Sequence, residues 1–266
     1  MASQNEINLL EKNLWSQWAQ FGAPQTCSFT RSDSAWYLDT PIASLPYNGV
    51  FKFNETNTPD DAIDRLLRHY ADRQVEHLWL VHPSAEPHDL ADRLTARNLE
   101  EADEFTGMVL EPDRLNAPTD VPDGVDIREL CTGDEEGVIE FIAARWSVPT
   151  DAIPYLYKFF VDNNIGRKGA ASRGWIATIN GKLVGKAFTH RFENTVGLYG
   201  VATRPEARGR GVAQALCAKA FAETSHPGVD MLVLHSTEMA SGIYEKFGFR
   251  SVAPFRLFAS GGSFAA

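Results

Sequence analysis

The sequence predicts an α/β protein in which two units follow each other in tandem, each a mixed sheet flanked by helices. Strand-like apolar runs alternate with amphipathic helical stretches along the chain. The order strand, turn, helix, strand, helix, strand occurs twice, once over residues 50–110 and once over residues 196–258. Between the copies, residues 111–124 are rich in Pro, Asn and Asp, which is typical of a linker.

Composition limits the classes of function. The 266 residues are 44% hydrophobic and 23% charged, as in ordinary globular proteins, and the net charge of −10 disfavours a general nucleic-acid binder. The start has no basic segment leading into an apolar core, and no run approaches the ~18 apolar residues of a membrane span. Cys27, Cys131 and Cys217 have neither metal-ligand spacing nor an even disulfide set. We therefore expect a cytoplasmic monomer or homodimer without metal, nucleic-acid or membrane partners.

In the first half, apolar residues at three- and four-residue steps predict a helix over residues 4–21. The segment Thr58-Pro59-Asp60-Asp61 is a helix start, with a capping hydroxyl, a proline at the first position and early acids. The remaining elements follow from periodicity: strands at 36–38, 50–53, 77–82 and 105–110, and helices at 59–73 and 87–97.

The second half begins with an alternating strand at 125–130 and two helices at 134–146 and 149–163. Asn180-Gly181 separates two apolar runs and predicts a tight hairpin. A strand follows at 196–201, then an alanine-rich helix around 215–222, a strand at 231–235, a helix at 238–247 and a strand at 249–258.

The stretch between the strand at 196–201 and the next helix contains Arg208, Gly209, Arg210 and Gly211. Glycines at such a junction let the backbone approach a ligand, and the first amides of the helix have no partner within it. Free N–H groups together with the positive end of the helix dipole make an anion site, to which two arginines add charge. A ligand with a diphosphate fits this pattern.

Two motifs in the second half resemble those of the GNAT superfamily of acyl-CoA-dependent N-acetyltransferases. Arg208-x-x-Gly211-x-Ala213 is similar to the family's signature for the acyl-CoA pyrophosphate. Tyr244-Glu245-Lys246-Phe247-Gly248-Phe249 is similar to its C-terminal tyrosine, helix end and Gly-Phe. The resemblance covers about residues 125–258 and implies acetyl-CoA as acyl donor, direct attack of a primary amine on the thioester, and a small-molecule amine as acceptor.

The resemblance also implies roles for individual residues. The end of the fourth strand would contact the pantetheine arm and stabilise the oxyanion, and the loop with the following helix start would hold the pyrophosphate. Tyr244 would protonate the leaving thiolate, since thiol and phenol pKa values of ~8.5 and ~10 are close enough for transfer. Thr237 stands where the family often has a cofactor-contacting asparagine, and we expect it to cap the helix. The expected contacts with acetyl-CoA are Val201, Ala202, Thr203, Arg208, Gly209, Arg210, Gly211, Val212, Ala213 and Thr237.

The sequence leaves the proton acceptor for the substrate ammonium open. His190, Glu193 and His235 lie on or near the central strands, and Glu238 starts the last helix. Each could act directly or through water, and bulk water could replace them. The aromatic residues of the helix at 149–163 are acceptor-site candidates through the resemblance, although core packing is the stronger interpretation. They are Tyr155, Tyr157, Phe159 and Phe160.

The first half lacks the glycine loop. At the matching position, residues 54–60 contain no glycine and carry acids, which would repel a diphosphate. We therefore expect a degenerate GNAT-like domain over residues 1–115, a linker over 116–124 and a catalytic domain over 125–260. A non-catalytic acyl-CoA-binding protein is the alternative, which the presence of both the loop and Tyr244 in this chain disfavours.

Overall fold

The computed structural model describes residues 3–118, 120–146, 148–224 and 227–260, so the first two residues and Thr119 of the expected linker lie outside it. The helices are α1 (Gln4–Ala19), α2 (Pro59–Arg73), α3 (Leu90–Thr95), α4 (Glu135–Trp146), α5 (Ile153–Asp162), α6 (Val212–Thr224) and α7 (Glu238–Lys246). The strands are β1 (Ser28–Arg31), β2 (Ala35–Asp39), β3 (Gly49–Phe53), β4 (Leu78–Val81), β5 (Glu100–Leu110), β6 (Val125–Glu129), β7 (Ser172–Ile179), β8 (Lys182–Phe192), β9 (Thr195–Thr203), β10 (Met231–Ser236) and β11 (Arg250–Ala259). Short 3₁₀ turns lie at Gln20–Gly22, Pro112–Arg114, Thr150–Ala152 and Pro205–Ala207.

The chain folds as two compact units that exchange segments. Among the described residues, the major unit contains those within 3–17 and 107–252, and the minor unit contains those within 18–106 and 253–260. Most of helix α1, at the start of the chain, therefore belongs to the unit built from the second half. The division into 1–115, 116–124 and 125–260 stays a prediction about the order of elements along the chain.

The major unit has a mixed sheet in the order β5-β10-β9-β8-β7-β6. Strands β6 to β9 pair antiparallel, and β10 pairs parallel to β9. Alternate residues of the central strands form a core with helix α6, because successive side chains of a strand point to opposite faces. Val196, Leu198 and Leu234 contribute to this core, and Leu216 and Phe221 of α6 are fully buried in it. The predicted mixed sheet with flanking helices is confirmed.

Strands β9 and β10 separate at the centre of this sheet. Their register runs from Thr195 opposite Met231 to Leu198 opposite Leu234 and stops there. Both strands continue past that point, β9 to Thr203 and β10 to Ser236. The two strands thus leave an opening on the side that leads into the glycine loop.

The minor unit shares part of the strand and helix arrangement of the major unit. Its strands follow the order β1-β2-β3-β4-β11, with β3 and β4 parallel and joined through helix α2. The core is formed where α2 and α3 cover the sheet, with Ile63, Leu90 and Leu94 fully buried. The last strand of the chain, β11, pairs antiparallel with β4, from Arg256 opposite Val81 to Ala259 opposite Leu78. This exchange of closing strands has no signal in the sequence.

Most elements agree with the sequence patterns. Helix α2 spans the predicted residues, and the hairpin turn at Asn180 and Gly181 has φ angles of 50° and 76°, as the tight two-residue turn requires. The helix expected over 87–97 is shorter, at Leu90–Thr95. The expected cap by the Thr58 hydroxyl is wrong, because its side chain makes no capping hydrogen bond. The Glu55 carboxylate accepts the Asn57 and Thr58 amides just before the helix.

Candidate functional site

The glycine loop presents a row of backbone donors at the start of helix α6. Gly209 and Gly211 have φ angles of 71° and 78°, in the left-handed region that side chains disfavour. Across the described residues, no amide of the stretch from Gly209 to Ala213 donates to another backbone carbonyl. These N–H groups lie at the positive end of the α6 dipole, so the loop can bind an anion through its backbone.

The arginines around this loop differ in exposure and in how many contacts their guanidinium groups make. The Arg204 Nε donates to the Leu183 carbonyl at 2.8 Å, and the guanidinium lies 5.0 Å from the Phe141 ring centroid, so Arg204 supports the strand end. Arg208 is exposed and its Nε reaches the Thr203 carbonyl at 3.3 Å. Arg210 is exposed and lines a depression of about 280 Å³ together with Lys182 and other residues. Arg208 and Arg210 are thus the two cations placed to meet an anion.

The predicted pantetheine contacts Val201, Ala202 and Thr203 lie on β9 beyond the last residue paired to β10. All three are partly buried. The Thr203 hydroxyl oxygen is buried and has no hydrogen-bond partner among the residues that the structure describes. A buried polar atom without a partner costs free energy, and a ligand amide in the opening would satisfy it.

Tyr244 lies on helix α7 within the core of the major unit. Only 7% of the residue is exposed, and its ring meets that of Phe249 edge-on at 6.2 Å between centroids. Burial, and secondarily the neighbouring Cys217 thiol, raise the pKa of Tyr244 well above its ordinary value. The phenol carries its proton at neutral pH, as a general acid must before it acts, but the raised pKa makes it a weaker proton donor to a thiolate than an unperturbed tyrosine.

His235 stands at the opening itself, as the first β10 residue beyond the paired segment. Its ring stacks on that of Tyr199, with centroids 6.5 Å apart and planes 21° apart. Burial lowers the pKa of His235 to about 3, so the imidazole is neutral at physiological pH. A neutral imidazole has a nitrogen lone pair, but the burial that lowers its pKa also makes it a weak proton acceptor.

His190 and Glu193 are placed differently. The His190 ring nitrogens both bond to serines at 2.9 Å, Nδ1 to Ser172 and Nε2 to Ser16, and burial lowers the pKa of His190 to about 4. Both ring nitrogens of His190 are therefore already engaged in hydrogen bonds within the fold. Glu193 is exposed in the β8–β9 turn, six residues before Tyr199 and thus about 20 Å away along the strand. The structure does not bring Glu193 to the opening.

Thr237 precedes helix α7, as expected, but its side chain makes no capping hydrogen bond. The neighbouring Ser236 hydroxyl donates to the Thr237 carbonyl at 2.8 Å. The expectation that the Thr237 hydroxyl caps the helix is therefore wrong. Its place at the end of β10 still puts it beside the opening.

The aromatic residues of helix α5 serve mainly the core. Tyr155, Phe159 and Phe160 are buried, and the Phe160 ring packs edge-on against Phe188 at 6.1 Å. Tyr157 is the exception, with 38% of its surface exposed. Core packing, the stronger of the two interpretations from sequence, is confirmed for the first three.

Sequence reasoning missed two polar residues that the fold brings to β9. Asn13 of α1 is fully buried; its Oδ1 accepts from the Tyr199 hydroxyl at 2.6 Å. Lys186 of β8 is 2% exposed and donates to the Gly200 carbonyl at 2.7 Å. Both had a signal in the sequence: Asn13 is a polar residue on the apolar face of a helix, and Lys186 is a lysine inside an apolar strand. The glycine after Tyr199 also indicates a bulge in β9.

No group of three or more His, Cys, Asp or Glu side chains within the described ranges is arranged to hold a metal ion. Over the same part of the chain, each helix is too short or too polar to cross a bilayer.

Comparison with known proteins agrees with this geometry. Residues 170–251 match the family model described as an acetyltransferase (GNAT) domain. No curated protein matches the sequence. The fold is similar to that of a GCN5-related N-acetyltransferase from Kribbella flavida, at 17% identity, with 96% of each chain covered and a TM-score of 0.66.

Two other solved structures share the arrangement. A tandem GNAT protein from the clavulanic acid biosynthesis pathway has 15% identity and a TM-score of 0.63, with 94% of this chain and 89% of that chain covered. A GCN5-related N-acetyltransferase from Sphaerobacter thermophilus has 18% identity and a TM-score of 0.62, with 86% of this chain and 78% of that chain covered. At these identities the likeness concerns the fold. Together, these comparisons show that this chain has the fold of tandem GNAT proteins and that its residues 170–251 match the acetyltransferase (GNAT) domain.

Proposed function

We propose that the major unit is an acetyl-CoA-dependent N-acetyltransferase that acts on the primary amine of a small molecule. The observation that carries this proposal is the opening where β9 parts from β10, followed along β9 by a loop whose amides donate to no backbone carbonyl of the described residues. Such an opening gives a long, thin ligand access to backbone groups in the middle of a sheet. The loop then supplies the anion site that the diphosphate of coenzyme A needs.

The chain's own residues would hold the donor at both ends. The amides from Gly209 to Ala213 would bind the pyrophosphate, with Arg208 and Arg210 adding positive charge. The backbone of Val201 to Thr203, with the buried Thr203 hydroxyl, would bond to the pantetheine arm. An amide of the same strand would donate to the acyl carbonyl and stabilise the oxyanion that develops there.

In the reaction we propose, a neutral amine attacks the thioester carbonyl, forming a C–N bond and then breaking the C–S bond. The leaving thiolate takes the proton of the Tyr244 phenol, which the surrounding core keeps protonated until that step. The ammonium formed on the amine loses its proton to His235 or to water. His235 is favoured over His190, because the His190 nitrogens are already bonded to two serines.

The minor unit would support the fold without binding a donor. At the start of α2, the counterpart of α6, Asp60 pairs with Arg93 at 2.6 Å and with Arg97 at 2.9 Å. Asp61 follows in the same turn. Carboxylates at a helix start compete with a phosphate for the same amides and repel it.

Calorimetric titration with acetyl-CoA tests the proposal, using the wild type and Gly211→Glu. Gly211 has a φ angle of 78°, and a Cβ there would lie 3.4 Å from Pro122 Cγ, so the substitution distorts the loop and adds a negative charge. We expect wild-type binding and a loss of at least about a hundredfold in the variant, since like charges brought together cost several kcal/mol.

Gly169→Glu is the matched control. Gly169 also has a left-handed φ, of 86°, but lies in an exposed turn with open space where a side chain would go. It carries the same backbone strain and charge without touching the loop, so its acetyl-CoA affinity should equal that of the wild type. Wild-type binding would justify screening an amine panel by release of free thiol. No acetyl-CoA binding by the wild type would contradict the proposal.

A further inference from the structure

Lys186 is a buried cation beside the bulge of strand β9. It is 2% exposed, and its Nζ donates to the Gly200 carbonyl oxygen at 2.7 Å. The same nitrogen lies 5.0 Å from the Trp146 ring centroid and 5.2 Å from that of Phe188. A lysine is rarely buried without a carboxylate partner, and here a peptide carbonyl and two ring faces take that place.

The carbonyl that Lys186 binds belongs to an irregular part of the sheet. Phe188 pairs with Tyr199 and Lys186 with Ala202, so one residue of β8 faces two residues of β9, Gly200 and Val201. Gly200 is the first of these two bulged residues and has a φ angle of 57°, the left-handed conformation that this kind of bulge requires. The Gly200–Val201 peptide group therefore leaves the regular ladder, at the place where β9 has already parted from β10.

We propose that Lys186 is a positioning residue for acyl transfer, whose ammonium group polarises the Gly200–Val201 peptide and so strengthens the Val201 amide as a donor to the acyl carbonyl. A hydrogen bond to the oxygen of a peptide group draws electron density from its nitrogen, and chains of such bonds reinforce one another. A charged donor does this more strongly than a neutral one, and burial keeps water from screening it. The inference rests on the proposed acetyltransferase function, because it assumes an acyl group at this bulge.

This arrangement makes the polarisation depend on pH. Burial, and secondarily the charge of Arg145 on helix α4, lower the pKa of Lys186 to about 7. Of the residues that the structure describes, Trp146 and Phe188 also meet its Nζ through their rings and Gly200 through its carbonyl, and none of these groups titrates. Below this pKa the ammonium polarises the peptide, and above it the neutral amine does so much less.

The test is isotope-edited infrared spectroscopy of acetyl-CoA, labelled with ¹³C at the acyl carbonyl and bound to the full chain. A stronger donor to the carbonyl lowers its stretching frequency. In the wild type, we expect the frequency at low pH to lie below that of free acetyl-CoA and to rise toward it with a midpoint near pH 7. Lys186→Met has a side chain of similar length without charge, so its carbonyl frequency should stay high and independent of pH.

Lys219→Met is the control, since Lys219 is an exposed residue of α6 paired with Glu223. It should behave as the wild type. Acetyl-CoA that binds with a frequency insensitive to both pH and Lys186→Met would overturn the inference while leaving the acetyltransferase proposal in place. A chain that does not bind acetyl-CoA would overturn both. The pH series on the wild type needs no substitution and decides the matter even if the variant misfolds.

Discussion

Helix α1 should contribute to the free energy of unfolding of the major unit, and substitution of Asn13 tests this contribution. Asn13 makes three hydrogen bonds: its Oδ1 accepts from Tyr199 at 2.6 Å, and its Nδ2 donates to Thr195 Oγ1 at 2.7 Å and to the His190 carbonyl at 3.3 Å. A net value of about 1 kcal/mol per buried hydrogen bond gives a loss of about 3 kcal/mol for Asn13→Ala. The loss concerns the free energy of unfolding of the major unit.

Hydrogen exchange of the β8 and β9 amides measures this loss without interference from the minor unit. Protection of these amides reports the free energy of opening of the strands against which Asn13 packs. A loss of about 3 kcal/mol corresponds to exchange roughly 150-fold faster. Asn8→Ala, at an exposed position of the same helix, changes helix propensity in the same way and should leave the exchange rates nearly unchanged.

A double-mutant cycle separates the hydrogen bond from general packing. Tyr199→Phe alone removes the hydroxyl and leaves the Asn13 Oδ1 without that donor. Because each single substitution already breaks the bond, the double variant should lose less than the sum of the two, by about 1 kcal/mol. Equal exchange in Asn13→Ala and Asn8→Ala, or strict additivity in the cycle, would refute the assignment of this helix to the major unit's framework.

Two other predictions concern the titrating residues. Tyr244→Phe keeps the ring that packs on Phe249 and removes the acidic proton, so steady-state assays should show kcat lower by about 10²-fold with acetyl-CoA affinity kept; full activity would instead favour a different proton donor. The folded-state pKa of His190 is lowered from 6.5 to about 4, so its contribution to stability is present above pH 6.5 and is lost as the pH falls toward 4, by about 3 kcal/mol. His190→Gln should flatten the fall of Tm over this range, whereas the exposed control His88→Gln should follow the wild-type curve; identical curves for His190→Gln and the wild type would show that burial of this imidazole does not cause the fall.

Elements specified by neighbouring residues were predictable from the sequence. The Asn180-Gly181 turn requires two left-handed residues, and these residue types adopt that conformation at low cost. The glycine loop before α6 and the helix after Pro59 follow from similarly local preferences. Because such preferences act over a few residues, the amino-acid sequence alone was enough to predict the fold class, the order of elements and the place of the glycine loop.

What only the tertiary structure decided is which distant segments meet. Residues 190 and 199 meet Ser16 and Asn13 across more than half of the chain, and β11 pairs with β4 instead of closing the half of the chain that precedes it. No local pattern encodes these pairings, since a strand's alternation shows that one face is buried but not against what. The same holds for Lys186, whose charge is tolerated only because a bulge in another strand turns a carbonyl toward it. The sequence by itself thus determined the fold class and the place of the glycine loop, and long-range packing determined which side chains surround that loop.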